Sequence, residues 1–317
     1  MAYAFPGGVW PTMVTPFTRH GDVDYAALGA MVDWYIGHGV SGLFAVCQSS
    51  EMFMMSLADR TGVARFVKER ARGRVPVIAS GHISDGIENQ AGEVSAMADT
   101  GVDAVILISN RLAKPFEGDE VFLERLELLL ERIPAGIPLG FYECPFPYKR
   151  LLSPRVTEWC AKQGRFAFLK DTCCDIGMIR EKLAIVKDTP FKLYNANTST
   201  LLASLRDGAT GYSGVMANFQ PELYAWLCDH ADDPRADALS DALTVCSLIE
   251  RQGYPLNAKY SLSLEGLPVE PVCRAFADSR PGPTFFEEVR MLHRLTARLH
   301  DEYLDMASAG PEGRAAC

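Results

Sequence analysis

PLGFYECPFPYKRLLSPRVTEWCAKQGRFAFLKDT, residues 138–172, decides the fold. It opens with a short apolar run, PLGFYEC (138–144), and closes with another, RFAFLKDT (165–172). Between them SPRVTEWCAKQG (153–164) reads as a helix. Ser153 is placed as its N-cap, and Pro154 sits in the first turn, where a missing N–H costs nothing. Continuous rather than alternating apolar runs mark strands buried on both faces. Such strands pair in parallel beneath covering helices. The stretch therefore reads as a strand–helix–strand unit.

The unit repeats in both directions. Upstream, GVWPTMVTPF (8–17), GLFAVC (42–47), VPVIASG (75–81) and AVILIS (104–109) read as strands, followed by helices over 22–39, 57–74, 85–101 and 119–133. Downstream come a helix over 176–188, the strand FKLYNAN (191–197), a helix over 198–208 and the strand ATGYSGVMAN (209–218). Eight such units predict an α/β protein built as a (β/α)8 TIM barrel, rather than an open doubly wound sheet. The barrel is assigned to residues 1–220. Residues 221–317 read as a helical extension packed on it within one structural unit, through PELYAWLCDHA, ADALSDALTVCSLIERQG and TFFEEVRMLHRLTARLHDEYLDM, with a frayed tail ASAGPEGRAAC.

Composition narrows the function. Of 317 residues, 48% are hydrophobic and 22% charged, the balance of an ordinary globular chain. A net charge of −9 argues against a nucleic-acid surface, which needs clustered Lys and Arg. No apolar run reaches the ~18 residues a bilayer span requires, so no membrane partner is expected. MAYAFPGGVWPTMV at the start has neither a basic segment nor an apolar core of signal-peptide type, so the expected location is cytoplasmic. Nine cysteines, an odd number with no C-x-x-C pair, argue against a disulfide framework and for small buried side chains.

Active sites of such barrels lie at the C-terminal ends of the strands. Reading along the chain, those ends carry Thr15-Pro16-Phe17, Cys47-Gln48-Ser49-Ser50-Glu51, Ser80-Gly81-His82, Ser109-Asn110-Arg111, Tyr142-Glu143-Cys144-Pro145, Lys170-Asp171-Thr172, Asn195-Ala196-Asn197 and Ser213-Gly214. Lys170 closes an apolar strand. A lysine there loses hydration, its pKa falls, and a nucleophilic amine able to form a Schiff base remains. The alternative is a lysine neutralised by Asp171. Tyr142 closes the neighbouring strand, where a phenol can relay protons; it could equally be an ordinary strand aromatic. Ser49 and Ser50, with the surrounding amides, suit a carboxylate, or simply a loop that starts a helix. The six histidines show no chelating spacing, and Glu51, Glu143 and Asp171 complete no metal shell without them. No glycine-rich phosphate loop occurs. The expectation is no metal and no dissociable cofactor.

With these residues in view, the chain resembles the dihydrodipicolinate synthase / N-acetylneuraminate lyase family of class I aldolases and dehydratases, over roughly residues 7–300. The likeness is carried by TPF (15–17), CQSSE (47–51) in the position of a Gly-Thr-Thr-Gly-Glu element, Met55-Ser56 with Asp59-Arg60, YECP (142–145) for Tyr-Asn-x-Pro, FLKDT (168–172) and GATGYSGVMANFQPEL (208–223). The resemblance implies a Schiff base between Lys170 and pyruvate or another 2-keto acid. It implies that Tyr142 moves protons, that Ser49 and nearby amides bind the keto-acid carboxylate, and that the Ser213 carbonyl lines the pocket. A homo-oligomer, dimer or tetramer, is implied as well.

Three departures bear on the substrate. Gln48 stands for the first threonine, with Cys47 and Ser50 in place of glycines. Gln48 can hydrogen-bond a substrate but cannot relay a proton through a hydroxyl. Leu112 stands where a neighbouring subunit's tyrosine completes the synthase relay, and Pro147 where synthases keep an arginine for the second substrate's carboxylate. The Schiff-base half is retained and the synthase half altered. The expected reaction is aldol cleavage, condensation or dehydration of a 2-keto acid of the pyruvate or 2-keto-3-deoxy sugar acid type. The alternatives are dihydrodipicolinate synthase proper, or an impaired member that only binds keto acids. Arg111, Lys114, Lys149 and Arg150 are candidates to replace the lost arginine, or else solvated loop charges.

Overall fold

Strand β6, Phe166–Asp171, is buried along its whole length and stands at the middle of an eight-stranded parallel sheet. The computed structural model describes residues 4–275 and 281–304. Its strands are β1 Gly8–Val9, β2 Leu43–Val46, β3 Val77–Ser80, β4 Ala104–Ile108, β5 Leu139–Tyr142, β6, β7 Lys192–Asn195 and β8 Gly211–Tyr212. They run in the order β1-β8-β7-β6-β5-β4-β3-β2. The two ends meet. Thr12 pairs in parallel with Phe44, Met13 N–H donates to the Phe44 carbonyl at 3.0 Å, and Phe44 N–H donates to that of Pro11 at 3.1 Å. The sheet is thereby closed into the expected barrel.

Helices α1 Tyr25–Gly37, α2 Leu57–Ala71, α3 Ile87–Ala98, α4 Asp119–Arg132, α5 Pro154–Gln163, α6 Ile176–Val186 and α7 Thr198–Arg206 alternate with the strands. Their starts follow the sequence. Ser153 accepts from Val156 N–H with Pro154 in the first turn, and Ser56 and Asp59 cap α2 reciprocally. Beyond the barrel lie α8 Pro221–Asp229, α9 Ala236–Cys246, which runs on as a 3-10 turn over Ser247–Arg251, α10 Leu256–Leu264 and α11 Phe285–Tyr303. The tail from 307, with Cys317, lies outside the described residues. No helix among the described residues is long and apolar enough to cross a membrane.

Two expectations need correction. The segments 8–17 and 209–218 are not long strands; each supplies only two ladder residues. Pro11 has no N–H to give. At the seam, Gly211 lies so close to Gly8 that a Cβ would come within 2.0 Å of the Gly8 carbonyl oxygen. Past Tyr212 the chain turns into a 3-10 segment, Val215–Asn218, whose Met216 N–H donates to the Tyr212 hydroxyl. Helix α10 also lacks a sequence signal, because LNAKYSLSL buries Asn257 and Lys259 among its apolar residues.

The barrel core is aromatic. Phe168 stacks on Tyr194 with centroids 4.1 Å apart, and Trp10 meets Phe168 edge-on at 5.0 Å. The extension is tied to the strand tops. Lys259 on α10 pairs with Glu51 at 2.6 Å, both wholly buried, and Glu51 also accepts from Ala275 N–H.

Candidate active site

Lys170 and Tyr142 are register partners across β6 and β5. The lysine is 3% exposed, and its Nζ lies 4.2 Å from the centroid of the Tyr142 ring and 5.9 Å from that of Phe44. Among the described residues no carboxylate lies within ion-pair distance of it. Burial disfavours the ammonium and lowers the Lys170 pKa, against the opposing pull of Cys47, Cys144 and Glu250.

Asp171 does not neutralise Lys170. Successive side chains of a strand point to opposite faces, so the residues after Tyr142 and Lys170 turn away from the barrel interior. There Lys182 of α6 reaches both Glu143 and Asp171 at 2.5 Å, all three essentially inaccessible. Glu143 further accepts from Leu152 N–H at 2.8 Å and Thr172 N–H at 2.9 Å. Burial alone would lower the Lys182 ammonium; the two carboxylates outweigh it and hold the pKa above the ordinary value. The sequence reading missed Lys182. The available signal was its place in the buried stripe Ile179, Lys182, Val186 of α6.

The strand-2 loop is a 3-10 turn, Gln48–Ser50. Its candidates separate. The Ser50 hydroxyl accepts from Cys47 N–H at 2.8 Å and donates to the Cys47 carbonyl at 2.6 Å, so it holds the turn together. Ser49 and Gln48 line a cavity of about 360 Å³ together with Tyr142 and Tyr254. Ser49 shares a hydrogen bond with Tyr254, a residue between α9 and α10 that sequence reading did not single out. Gln48 Oε1 accepts from the Cys144 thiol at 3.4 Å, and Cys144 in turn contacts the Tyr142 hydroxyl. Burial pushes that thiol up to about 11 and the Tyr142 phenol well above its usual range, so both stay protonated.

The other candidates are not part of that cavity's lining. Ser213 is buried, with its N–H donated to the Asn195 carbonyl and its hydroxyl unpartnered. Arg111 pairs with Asp85 at 2.9 Å and covers the Phe53 ring, its guanidinium 5.5 Å from the centroid. Lys149 donates to the Thr172 carbonyl and Arg150 pairs with Asp119. Leu112 is fully buried. Glu250, from the turn after α9, is a further group that sequence reading passed over. Burial pushes its carboxyl up to about 7, opposed by the nearby charges of Lys170 and Arg251.

The arrangement can therefore present a desolvated, unpaired amine beside a protonated phenol, at the mouth of a closed barrel and next to an open cavity. Comparison with known proteins agrees with the fold. The model of the dihydrodipicolinate synthetase family matches residues 5–277. The 4-hydroxy-tetrahydrodipicolinate synthase of Acidithiobacillus ferrooxidans is 28% identical over 225 residues, 71% of this chain and 75% of that protein. Two solved structures share the fold. One is the chloride-inhibited dihydrodipicolinate synthase of Acinetobacter baumannii complexed with pyruvate, at 22% identity and a TM-score of 0.81, covering 93% of this chain and 99% of that one. The other is a prophage protein of the dihydrodipicolinic acid synthase family from E. coli K12 in complex with pyruvate, at 20% identity and a TM-score of 0.80, covering 92% and 98%.

Proposed function

The chain belongs to the dihydrodipicolinate synthetase family, a family of lyases, and we propose that its reaction runs through a Schiff base between Lys170 and the keto group of a 2-keto acid. The observation that carries this reading is the buried Lys170, which among the described residues has no carboxylate within ion-pair distance, Asp171 being turned away to Lys182. A neutral amine attacks the keto carbon. The Tyr142 hydroxyl gives a proton to the departing oxygen, which leaves as water, and recovers one when the iminium is finally hydrolysed. The iminium then withdraws electrons from the neighbouring carbon, which permits aldol cleavage, condensation or dehydration. Ser49 and the amides of the Gln48–Ser50 turn hold the keto-acid carboxylate, with Gln48 and the Ser213 carbonyl beside it. No dissociable cofactor enters, since the lysine itself supplies the electron sink.

Pyruvate is the first keto acid to try, because it is bound by two structural neighbours. Leu112 and Pro147 replace the groups that serve the second substrate in synthases, so the partner of pyruvate differs from theirs. The same reading makes the protein a cytoplasmic homo-oligomer of two or four copies, as is common in the family. The test is to incubate the protein with pyruvate and borohydride and to measure intact mass. A stable adduct that disappears in Lys170→Ala is expected. No adduct with pyruvate or any of a panel of 2-keto acids would overturn the reading.

A further inference from the structure

The cavity beside Tyr142 has two unlike ends. The inner end offers Gln48, Ser49 and Tyr254, groups suited to a carboxylate and a carbonyl. The rest of the lining is Glu51, whose carboxylate is taken by Lys259 and by Ala275 N–H, and an apolar wall that includes Phe53, Met54, Pro145, Phe146, Val215 and Pro255, side chains with no hydrogen-bonding atom beyond the weakly accepting methionine sulfur. Phe53 and Phe146 meet edge to face, with centroids 4.9 Å apart and planes at 62°. Phe146 is 47% and Met54 51% exposed, although both border a concave site. Large apolar side chains left bare around such a site mark a place for an apolar ligand. The cation over Phe53 does not change this. Arg111 is engaged by Asp85 and lies over Phe53, its guanidinium 5.5 Å from the ring centroid.

A sugar acid fits this wall poorly. Its distal hydroxyls would give up water and find no donor or acceptor there. A planar ring fits well, because it can pack against Phe53 and Phe146 at the angles aromatic pairs prefer. We propose that the distal fragment of the substrate is an arene, so that the protein cleaves or forms a 4-aryl-4-hydroxy-2-oxobutanoate. The inference rests on the Schiff-base reading and deepens it. In the cleavage direction the Lys170 amine replaces the keto oxygen, which takes one proton from the amine and one from Tyr142 and leaves as water, so that an iminium at C2 faces the Tyr142 phenolate. The C4 hydroxyl then loses its proton to that phenolate, the C3–C4 bond breaks, its electron pair moves to the iminium, and an aryl aldehyde departs. Tyr142 returns the proton to C3 of the resulting enamine. Water hydrolyses the iminium, which releases pyruvate and restores the amine, and the proton set free returns to the Tyr142 oxygen.

The experiment has three arms on the full chain. Borohydride trapping with pyruvate reads the Schiff base. Steady-state release of pyruvate is measured from 4-hydroxy-2-oxo-4-phenylbutanoate and from a 2-keto-3-deoxy sugar acid of six carbons. The same two rates are measured for Phe53→Ser and Phe146→Ser. The expected result is an adduct, with kcat/KM for the aryl acid at least about tenfold above that for the sugar acid. Each variant is expected to reduce that ratio by about tenfold, mainly by raising KM for the aryl acid. If the adduct forms but the sugar acid is cleaved equally well or better, or neither acid is cleaved, the arene is wrong and the Schiff base stands. A ratio unmoved in both variants overturns the arene in the same way. If no 2-keto acid gives an adduct, both readings fall.

Discussion

Tyr142 and Lys170 face each other across one rung of the β5–β6 ladder, and the lysine Nζ lies 4.2 Å from the centre of the phenol ring. The contact leaves the hydroxyl available as a proton carrier while the ring face shelters the amine. Replacing Tyr142 with Phe keeps the shelter and removes the carrier. Tyr142→Phe is expected to retain borohydride trapping with pyruvate, more slowly, and to lose turnover by about 10²–10⁴-fold. Full turnover in this variant would remove Tyr142 from the chemistry.

Glu250 bears on the pH at which the amine becomes available. Burial lowers the Lys170 pKa, and the Glu250 carboxylate is one of the charges that oppose the shift. Schiff-base formation needs the free amine, so its rate rises with pH through the pKa of Lys170, below that of an ordinary lysine. In Glu250→Gln one stabiliser of the ammonium is gone, the pKa falls further, and the rate profile moves to lower pH. Glu250 itself ionises near pH 7, so the two proteins differ most above that pH. Trapping rates across a pH series measure the midpoint; an unmoved midpoint, or one displaced upward, contradicts the assignment.

Lys182 holds together the charges behind the site. Removing it leaves Glu143 and Asp171 buried side by side without their cation. Lys182→Met is expected to cost about 3–5 kcal/mol in chemical denaturation. Adding Glu143→Gln and Asp171→Asn to that variant should recover part of the loss, since neutral amides do not repel. A single variant as stable as the parent would show the triad to be dispensable.

His82 makes the fold sensitive to acid. Its Nε2 accepts from Ile108 N–H at 2.7 Å, and burial, with the charges of Arg111 and Arg60, pushes its pKa down to about 3. Unfolded, the imidazole takes a proton near pH 6.5; folded, it does not until far lower. The unfolded state thus binds more protons between these values, and stability falls as pH drops through that window, by up to about 1.4 kcal/mol per unit. Denaturation midpoints from pH 7 to pH 4 should show a slope that flattens in His82→Gln. An equal slope in both proteins would assign the acid sensitivity elsewhere.

The architecture was legible because a parallel barrel writes itself into local sequence. Its strands are continuous apolar runs such as AVILI (104–108) and FAFL (166–169), and its helices announce their starts, as at Ser56 and Ser153. Lys170 and Tyr142 were legible for the same reason, since a polar residue ending an apolar strand stands at the active end of a barrel. The ladder lengths of β1 and β8 were not. They follow from the approach of Gly8 to Gly211, two residues 203 positions apart.

Local sequence was enough to specify the eight repeats, their helix caps and the lysine at the end of β6. All of these depend on hydrophobic period and on bonds between residues a few positions apart. Charge pairing and cavity shape depend on side chains that meet only after the chain has closed. Asp171 adjoins Lys170 in sequence yet pairs with Lys182, because a strand sends neighbours to opposite faces. Glu51 found Lys259 across 208 positions, and Phe53 found Phe146. The amine at the centre was written in the sequence; its lack of a partner and the apolar wall beside it were settled by folding.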